Sequence, residues 1–366
     1  MPELLKYMYN PRFFEDLIPI LDDVLLHFDR KKFLNLIFIP AWETLELKAR
    51  MQHISRVLSV FMPPDFPQAV PYLIRIKEKA LLANFANTFT FMFLPDYVEQ
   101  YGLNHFEPSI QALQEITSVA SAEFAVRPFL IKYPQPMLHI MRMWSVHPDL
   151  HVRRLASEGC RPRLPWAMAV PYLKKDPSPV LPILENLKAD SSEYVRRSVA
   201  NNLNDISKDH PQIVLQLAAI WKGTNPDTDK LLKHACRTLL KAGHPQALQL
   251  FGFGLKDVVE TYPLILNKKA FQLNEAVEFT FSCRALQTAE VRLQYIINFA
   301  RQNGKVSKKV FYLGEKKLAA GERYTIRKEV KLQNYTTRTL YQGQHLIGIM
   351  LNGEMKAEES FYLHIN

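Results

Sequence analysis

Residues 194–210 read YVRRSVANNLNDISKDH, a stretch that predicts an amphipathic helix and, through its recurrence, the architecture of the chain. At helical spacing one stripe is apolar and consists of Val195, Val199, Leu203 and Ile206. The opposite stripe is polar and consists of Arg197, Asn201, Asp205 and Lys208. We expect the first face to be buried and the second, a carboxylate among basic and amide groups, to face outward.

Similar helices recur along the chain. Val152 in HVRRLASEG and Val195 are 43 residues apart, and LLKHACRTLLKAG begins another such segment about 37 residues further on. This period is typical of paired HEAT-like helices that stack into a solenoid and line a concave face. Polar residues four apart are expected on that face: Glu123 with Arg127, Arg154 with Glu158, and Lys233 with Arg237 and Lys241.

Near residues 250–257 the hydrophobic period changes from about 3.6 to about 2 residues. In VEFTFSC, residues 277–283, apolar and polar side chains alternate, and similar runs follow at 292–299, 309–313, 324–332, 345–351 and 360–365. About seven short strands at this spacing predict a β-sandwich, although the Cys, Trp, Cys signature of antibody domains is missing. The fold is therefore predicted as mainly α, with a helical-repeat domain over residues 1–254 and an all-β sandwich over 255–366.

Composition narrows the class of protein. The formal charge is +10, and it is uneven: −3 over residues 1–119, +7 over 120–255 and +6 over 256–366. Such a positive electrostatic field favours binding to a polyanion. Nucleic acid is the first candidate partner and an anionic membrane the second. Three widely spaced cysteines predict buried thiols, and no compact Asp, Glu and His grouping suggests a metal. Without a leader-like start or a membrane span, we expect a cytosolic protein that needs no cofactor.

The segment EGCRPRLPW, residues 158–166, could bind phosphate. A glycine ends one helix, two prolines stiffen the connection, and Arg161, Arg163 and Trp166 are presented at the turn. The alternative that Trp166 is an ordinary core residue stays open. So does the alternative that the Glu and Arg pairs are surface ion pairs worth only about 0.3–0.5 kcal/mol. The run SVANNLND is harder to explain structurally, because Asn and Asp are poor helix-interior residues.

Several of these segments together resemble a known family. They are LELKARMQHI, LPDYVEQYG, SAEFAVRPF, HVRRLASEGCRPRLPW, DPSPVLPILENLKADSSEYVRRSVANNLNDISKDHP and HACRTLLKAGHPQAL. The chain resembles the AlkC-type alkylpurine DNA glycosylases, relatives of AlkD in the HEAT-like-repeat DNA alkylation repair superfamily. The likeness covers about residues 45–248, and the β-rich tail resembles the immunoglobulin-like domain that many such proteins carry.

The resemblance implies an enzyme of base excision repair. It implies hydrolysis of the N-glycosidic bond of a cationic alkylated base, 3-methyladenine foremost, in duplex DNA and without flipping the base into a deep pocket. The residues at the matching positions are Glu123, Glu158, Trp166 and Asp205. We expect a monomer that needs no obligate protein partner. We expect it in a bacterial-type cytosol, where it associates with the nucleoid by binding DNA.

The chemistry follows from the residue types. A cationic base leaves as a neutral molecule, so positive charge develops on the sugar and carboxylates stabilise it. Carboxylates repel phosphate, however, and basic or amide neighbours must hold the DNA backbone. We expect Arg154, Arg161, Arg163, Arg197, Asn201, Lys208, Lys233, Arg237 and Lys241 to do so. The other hypothesis is a non-catalytic helical-repeat scaffold that binds nucleic acid or protein; a metal-dependent nuclease is disfavoured.

Overall fold

The computed structural model describes residues 4–83, 85, 87–302, 304–335 and 338–365. Helices extend to Leu250 and strands begin at Val259, so the predicted change of structure is confirmed. The chain divides into two compact units. The first comprises the described residues up to Asp209 together with Gly223–Ala235, and the second comprises His210–Lys222 together with the described residues from Cys236 onward. The boundary between 254 and 255 stays a prediction.

The helical part consists mostly of short helices. In chain order they are α1 (Pro11–Val24), α2 (Arg30–Ile37), α3 (Leu47–Ser59), α4 (Phe66–Leu82), α5 (Phe93–Tyr101), α6 (Phe106–Ile116), α7 (Val126–Lys132), α8 (Pro134–Trp144), α9 (Leu150–Gly159), α10 (Pro171–Lys175), α11 (Leu181–Leu187), α12 (Glu193–Ile206), α13 (Pro211–Trp221), α14 (Pro226–Ala235), α15 (Arg237–Ala242) and α16 (Pro245–Leu250). Short 3-10 helices lie at Leu5–Met8, Trp42–Thr44, Thr88–Met92 and Ser178–Val180.

The recurring segments lie side by side in the first unit. Helix α9 packs against α12, and α12 packs against α14. The apolar stripe of α12 is buried as predicted: Val195, Val199, Leu203 and Ile206 are each at most 1% exposed. The side chain of Asn202 is also buried and donates to the Ser157 carbonyl of α9 at 2.8 Å. A residue that is poor for an isolated helix therefore joins two neighbouring helices.

The last residue of α9, Gly159, is explained by packing rather than by its backbone conformation. The next residue, Cys160, has φ −92°, so the chain does not leave the helix through a left-handed glycine. A Cβ atom at position 159 would instead lie 2.5 Å from Val126 Cγ2 and 2.9 Å from Met141 Cε. A side chain at this position would force Val126 or Met141 to shift, so glycine suits the close packing of α9 against α7 and α8.

The strands form a two-sheet sandwich in the second unit. They are β1 (Val259–Thr261), β2 (Ile265–Leu266), β3 (Ala270–Gln272), β4 (Ala276–Ala285), β5 (Ala289–Ala300), β6 (Val306–Leu318), β7 (Arg323–Lys331), β8 (Gly343–Leu351) and β9 (Glu354–His364). In one sheet β4 pairs with β1, β2 and β7; the other has the order β3-β9-β8-β5-β6, with only β3 and β9 parallel among the described pairs.

The sandwich core follows the predicted alternation. Along β4, Val277, Phe279, Phe281 and Cys283 are buried in a cluster with residues of both sheets. Strand β6 lies at an edge of its sheet and carries most of the basic run at 305–317. Its exposed lysines protect that edge from pairing with another chain. All three cysteines are buried and free, as predicted.

Helix α5 carries two acidic residues, Asp96 and Glu99, that are withdrawn from solvent. Asp96 is 4% exposed and accepts from Gln100 Nε2 at 2.5 Å. One helical turn further on, Glu99 is half-buried beside it. Burial, followed by repulsion from Asp96, raises the pKa of Glu99 to about 7 even though Lys48 opposes the shift. The folded chain therefore holds a proton on Glu99 that the unfolded chain releases near pH 4.5.

We expect Glu99→Gln to stabilise the protein increasingly as pH rises. Between about pH 4.5 and pH 7 the unfolded wild type loses its proton first, so its stability falls; the amide removes this loss. The gain at pH 8 relative to pH 5 should be about 1–3 kcal/mol, measured by urea unfolding. Glu107→Gln, on an exposed residue, is the control. A gain that is the same at both pH values would contradict the assignment.

Candidate active site

Six of the charged side chains singled out in the sequence meet in the first unit. They come from the turn before α7, from the last turns of α9, from the loop after α9 and from the end of α12. We call this group the carboxylate cluster. It consists of Glu123, Arg154, Glu158, Arg161, Asp205 and Lys208.

Arg161 bridges two carboxylates at the centre of the cluster. Its Nη1 donates to Glu158 Oε1 at 2.5 Å, and its Nε donates to Asp205 Oδ2 at 2.8 Å. The second oxygen of Glu158 accepts from Ser198 Oγ at 2.6 Å, and that of Asp205 accepts from Lys208 Nζ at 2.8 Å. The structure thus brings Glu158 and Asp205 together, on α9 and α12, with all four carboxylate oxygens bound.

Glu123 and Arg154 form the other half of the cluster. Glu123 Oε2 accepts from Ser121 Oγ at 2.7 Å and from Arg154 Nη1. Arg154 Nη2 also lies 3.7 Å from Glu158 Oε1. The guanidinium carbon of Arg154 lies 4.8 Å from the centroid of the Tyr194 ring, which it covers. The expected pair of Arg154 with Glu158 is therefore present but long, and the shorter contact runs to Glu123.

The two arginines of this cluster stay charged. Burial lowers the pKa of Arg154, but Glu123 and Glu158 outweigh it and hold that pKa above its usual range. Burial opposes Glu158 and Asp205 in the same way at Arg161, whose pKa is also raised. Three cations face three carboxylates, so the formal charge of the named group is zero. Such an arrangement can become negative locally if one cation moves away.

The carboxylates differ in how open they are to solvent. The side chain of Glu123 is 17% exposed, whereas those of Glu158 and Asp205 are 5% and 2% exposed. The sequence prediction placed Asp205 on an outward face. It is instead covered by Arg161 and by Lys208, whose own side chain is 40% exposed. Of its two covering cations, Lys208 is the more accessible.

Trp166 is presented at the surface. Its side chain is 64% exposed, so the alternative that it is a core residue is wrong. Its φ of 63° lies in the left-handed region, which is rare for a large side chain. The Trp166 carbonyl accepts from Lys48 Nζ at 3.0 Å.

The predicted DNA contacts take several different positions. Arg161 is 7% exposed and binds the two carboxylates, so a phosphate contact is not the role that its position supports. Arg163 is 38% exposed in its side chain and pairs with Asp209 at 2.7 Å. Arg197 is exposed and lines a cavity of about 340 Å³ together with His234, which lies 3.2 Å from Asn201 Oδ1.

The third repeated segment is broken where the sequence predicted one continuous helix. Helix α14 ends at Ala235 and α15 begins at Arg237, with Cys236 at φ −85° and ψ 6° between them. Lys233 lies in the first unit, whereas Arg237 and Lys241 lie in the second. The stripe expected from their spacing of four is therefore divided between α14 and α15.

Some contacts escaped the sequence analysis. Arg127 does not pair with Glu123; it is fully buried and binds backbone carbonyls of the loop after α9. Tyr194, 44% exposed, stacks on Arg154 beside the cluster. The signal for Arg127 was weak, since a basic residue in an apolar helix also fits a surface ion pair. Arg153 binds Asp190, and Arg196 binds Asp227.

Metal-binding groups and membrane-spanning helices are absent from the part of the chain that the structure describes. In that part of the chain, His, Cys, Asp and Glu form no group of three or more suited to hold a metal ion. No described helix is both long and apolar enough for a membrane span.

Comparison with known proteins agrees with the fold. A family model described as "Uncharacterised protein YhaZ, C-terminal Ig-like domain" matches residues 261–365. The chain is 41% identical to "Uncharacterized protein YhaZ" of Bacillus subtilis over 98% of both chains. It is 37% identical to the Pseudomonas fluorescens alkylpurine DNA glycosylase AlkC, solved bound to DNA containing an abasic site analog, with a TM-score of 0.93 over 99% of this chain and 100% of that one. The chain belongs to the family of AlkC-type alkylpurine DNA glycosylases, whose HEAT-like helical repeats are followed by an immunoglobulin-like sandwich.

Proposed function

We propose that this protein is a monofunctional DNA glycosylase that removes cationic alkylated bases, 3-methyladenine foremost, from duplex DNA. The observation that carries the proposal is the bridging of Glu158 and Asp205 by Arg161, with Glu123 joined to the same group through Arg154. A pure scaffold has little use for three carboxylates so placed on a basic protein. The match to an AlkC solved with DNA that contains an abasic site analog supports the same conclusion.

In the proposed reaction the bond between C1′ of the deoxyribose and the ring nitrogen of the base breaks. Both bonding electrons go to the cationic base, which leaves neutral and needs no general acid. The sugar passes through an oxocarbenium-like state that nearby carboxylates stabilise. A water oxygen then bonds to C1′, and its proton goes to a carboxylate. We assign stabilisation of the sugar cation and acceptance of the water proton chiefly to Asp205 and Glu158. Glu123 is the third carboxylate that adds negative charge to the site.

Lys208 provides a way to expose Asp205. Its side chain is 40% exposed, and its ammonium covers one oxygen of a carboxylate that is only 2% exposed. A DNA phosphate near Lys208 would compete with Asp205 for the ammonium. If Lys208 moves to the phosphate, the named cluster gains one net negative charge beside the sugar. Binding of the DNA backbone would thus prepare the site electrostatically.

Trp166 supplies the aromatic contact. Because most of its ring is exposed, it can pack on an electron-poor sugar or on the neighbouring nucleotide without any core rearrangement. A contact between a cationic group and an aromatic face contributes about 0.5–2 kcal/mol. A surface tryptophan serves a lesion that remains in the duplex, and it fits action without base flipping.

Base release is the first test. Purified wild type should release 3-methyladenine from methylated duplex DNA. Asp205→Asn and Glu158→Gln should each lower the rate by about 100-fold, because they remove negative charge at the developing cation. Free base is measured by chromatography, and folding of each variant by circular dichroism at the assay temperature.

The matched control is Asp190→Asn. Asp190 is a buried aspartate bound to Arg153 at 2.6 Å, so its loss costs stability but should leave the release rate within about twofold of wild type. No base released by wild type would refute the proposed activity and favour the non-catalytic scaffold. Full activity in both cluster variants would refute only the assignment of the two carboxylates.

Trp166→Ala tests the aromatic contact. The release rate should fall by about 2- to 30-fold, whereas Trp166→Phe should retain most of it, because phenylalanine keeps an aromatic face. The melting temperature should change little, since the side chain is 64% exposed. Equal rates for the alanine and phenylalanine variants would show that no ring is needed.

The salt dependence of DNA binding tests the proposed backbone contacts. Arg163→Met and Lys208→Met should each lower the slope of log affinity against log salt by about 0.9, measured by fluorescence anisotropy with labelled duplex. Lys79→Met is the control, because Lys79 pairs with Asp23 outside the predicted interface. Slopes that match the control would place both residues away from the DNA backbone.

A further inference from the structure

The loop between α9 and α10, residues 160–170, holds a conformation that works against stability in two ways. Trp166 has φ 63°, and the left-handed region costs an ordinary L-residue about 1–2 kcal/mol. The same residue leaves 64% of a large ring exposed, whereas the other tryptophans, Trp42, Trp144 and Trp221, are at most 3% exposed. Contacts elsewhere in the loop must therefore maintain this conformation. We call residues 160–170 the Trp166 loop.

Arg127 holds the Trp166 loop from inside the protein. Its Nε donates to the Met168 carbonyl at 2.5 Å, and its Nη1 donates to the carbonyls of Gly159 and Arg161 at 3.0 and 2.8 Å. One planar guanidinium thus binds backbone on both sides of Trp166. Two of its donor nitrogens point in fixed directions, so the distance between the two arms of the loop is fixed as well.

Retaining this guanidinium in the interior is costly. Arg127 is fully buried, and burial lowers its pKa to about 10, so the charge remains at neutral pH despite the lost hydration. Neutral carbonyls compensate a buried charge less well than a carboxylate does. A well-packed apolar side chain would be a cheaper way to fill the same volume. The position of Arg127 is better explained by what it holds than by stability alone.

Lys48 holds the Trp166 loop from the other side. It lies on α3, 118 residues from Trp166 in sequence, and its Nζ donates to the Trp166 carbonyl at 3.0 Å. The same ammonium lies 5.0 Å from the ring centroid of Phe124, the residue next to Glu123. Lys48 therefore links the strained residue of the loop to the turn that carries one of the three carboxylates.

We propose that Arg127 and Lys48 are positioning residues of the active site: they hold the Trp166 loop so that Trp166 is presented at the surface and Arg161 stays between Glu158 and Asp205. This inference rests on the proposed function. Neither residue needs to touch the DNA or the reacting atoms. Their effect passes through the backbone carbonyls of residues 159, 161, 166 and 168.

The test combines hydrogen exchange with kinetics. In Arg127→Lys, Arg127→Met and Lys48→Met, the backbone amides of residues 160–170 should exchange at least about tenfold faster. The reason is that backbone carbonyls of the Trp166 loop lose the side-chain donors that hold them. Amides in the middle of α4 should be unchanged. With methylated duplex DNA, kcat should fall about tenfold or more while KM changes less than about twofold, since a small misplacement of reacting groups slows the bound-state step.

Two variants are matched controls in the same unit. Arg50 is also buried, at 1% exposure, and its guanidinium also binds backbone carbonyls, those of Leu45, Lys6 and Tyr9. Lys132 donates to the Leu103 carbonyl and lies 5.1 Å from the ring centroid of Tyr133. Arg50→Lys and Lys132→Met should lower stability but leave exchange of the Trp166 loop and kcat near wild type.

The outcomes separate the two hypotheses. Unchanged exchange in the loop, or faster exchange with unchanged kcat, overturns the positioning role. A similar kcat loss in Arg50→Lys also overturns it, because general destabilisation would then be sufficient. If wild type releases no base, the proposed function fails, and the exchange data alone then decide whether the two cations hold the loop. Lys48→Met keeps the test decisive even if the Arg127 variants do not fold.

Discussion

The carboxylate cluster depends on one guanidinium that is shared by two carboxylates. Arg161 lies between Glu158 on α9 and Asp205 on α12, and each of the three is at most 7% exposed. Loss of one partner would leave a buried charge uncompensated, at a cost of about 3–5 kcal/mol. The spacing of these two helices, the path of the loop after α9 and the place of the negative charges are therefore coupled. A chain under this constraint cannot alter its loop without altering its charge distribution.

Adjacent arginines on α9 and α12 show how one helix of a repeat can bind its neighbours with one side chain and serve another contact with the next. Both recurring helices carry adjacent arginines. The first of each pair binds an aspartate further along the chain. Arg153 binds Asp190, between α11 and α12, and Arg196 binds Asp227, at the start of α14. In α9 the second arginine, Arg154, instead joins the carboxylate cluster. Since adjacent residues on a helix point about 100° apart, one segment can contact its neighbour and contribute to the site at the same time.

The sequence was informative wherever local periodicity decides the structure. The buried stripe of α12, the change from helices to strands and the alternation in β4 follow from period alone, and a long motif indicated the family. Contacts between segments were harder. Asp205 was expected on an outward face, because its spacing does not reveal that Arg161 and Lys208 cover it. Arg127 resembled half of a surface pair, because three carbonyl acceptors have no sequence signature.

The buried thiols bear on the chemical durability of the protein. Burial raises the pKa of Cys160, which follows the last residue of α9, to about 12, and it does the same for Cys236. Cys283 shifts in the same direction within the sandwich. Methylating electrophiles react with the thiolate form, which is scarce at neutral pH when the pKa is this high. Compounds that methylate nucleobases would thus find little thiolate to attack here, and the three cysteines can stay unmodified under the exposure that creates the proposed substrates.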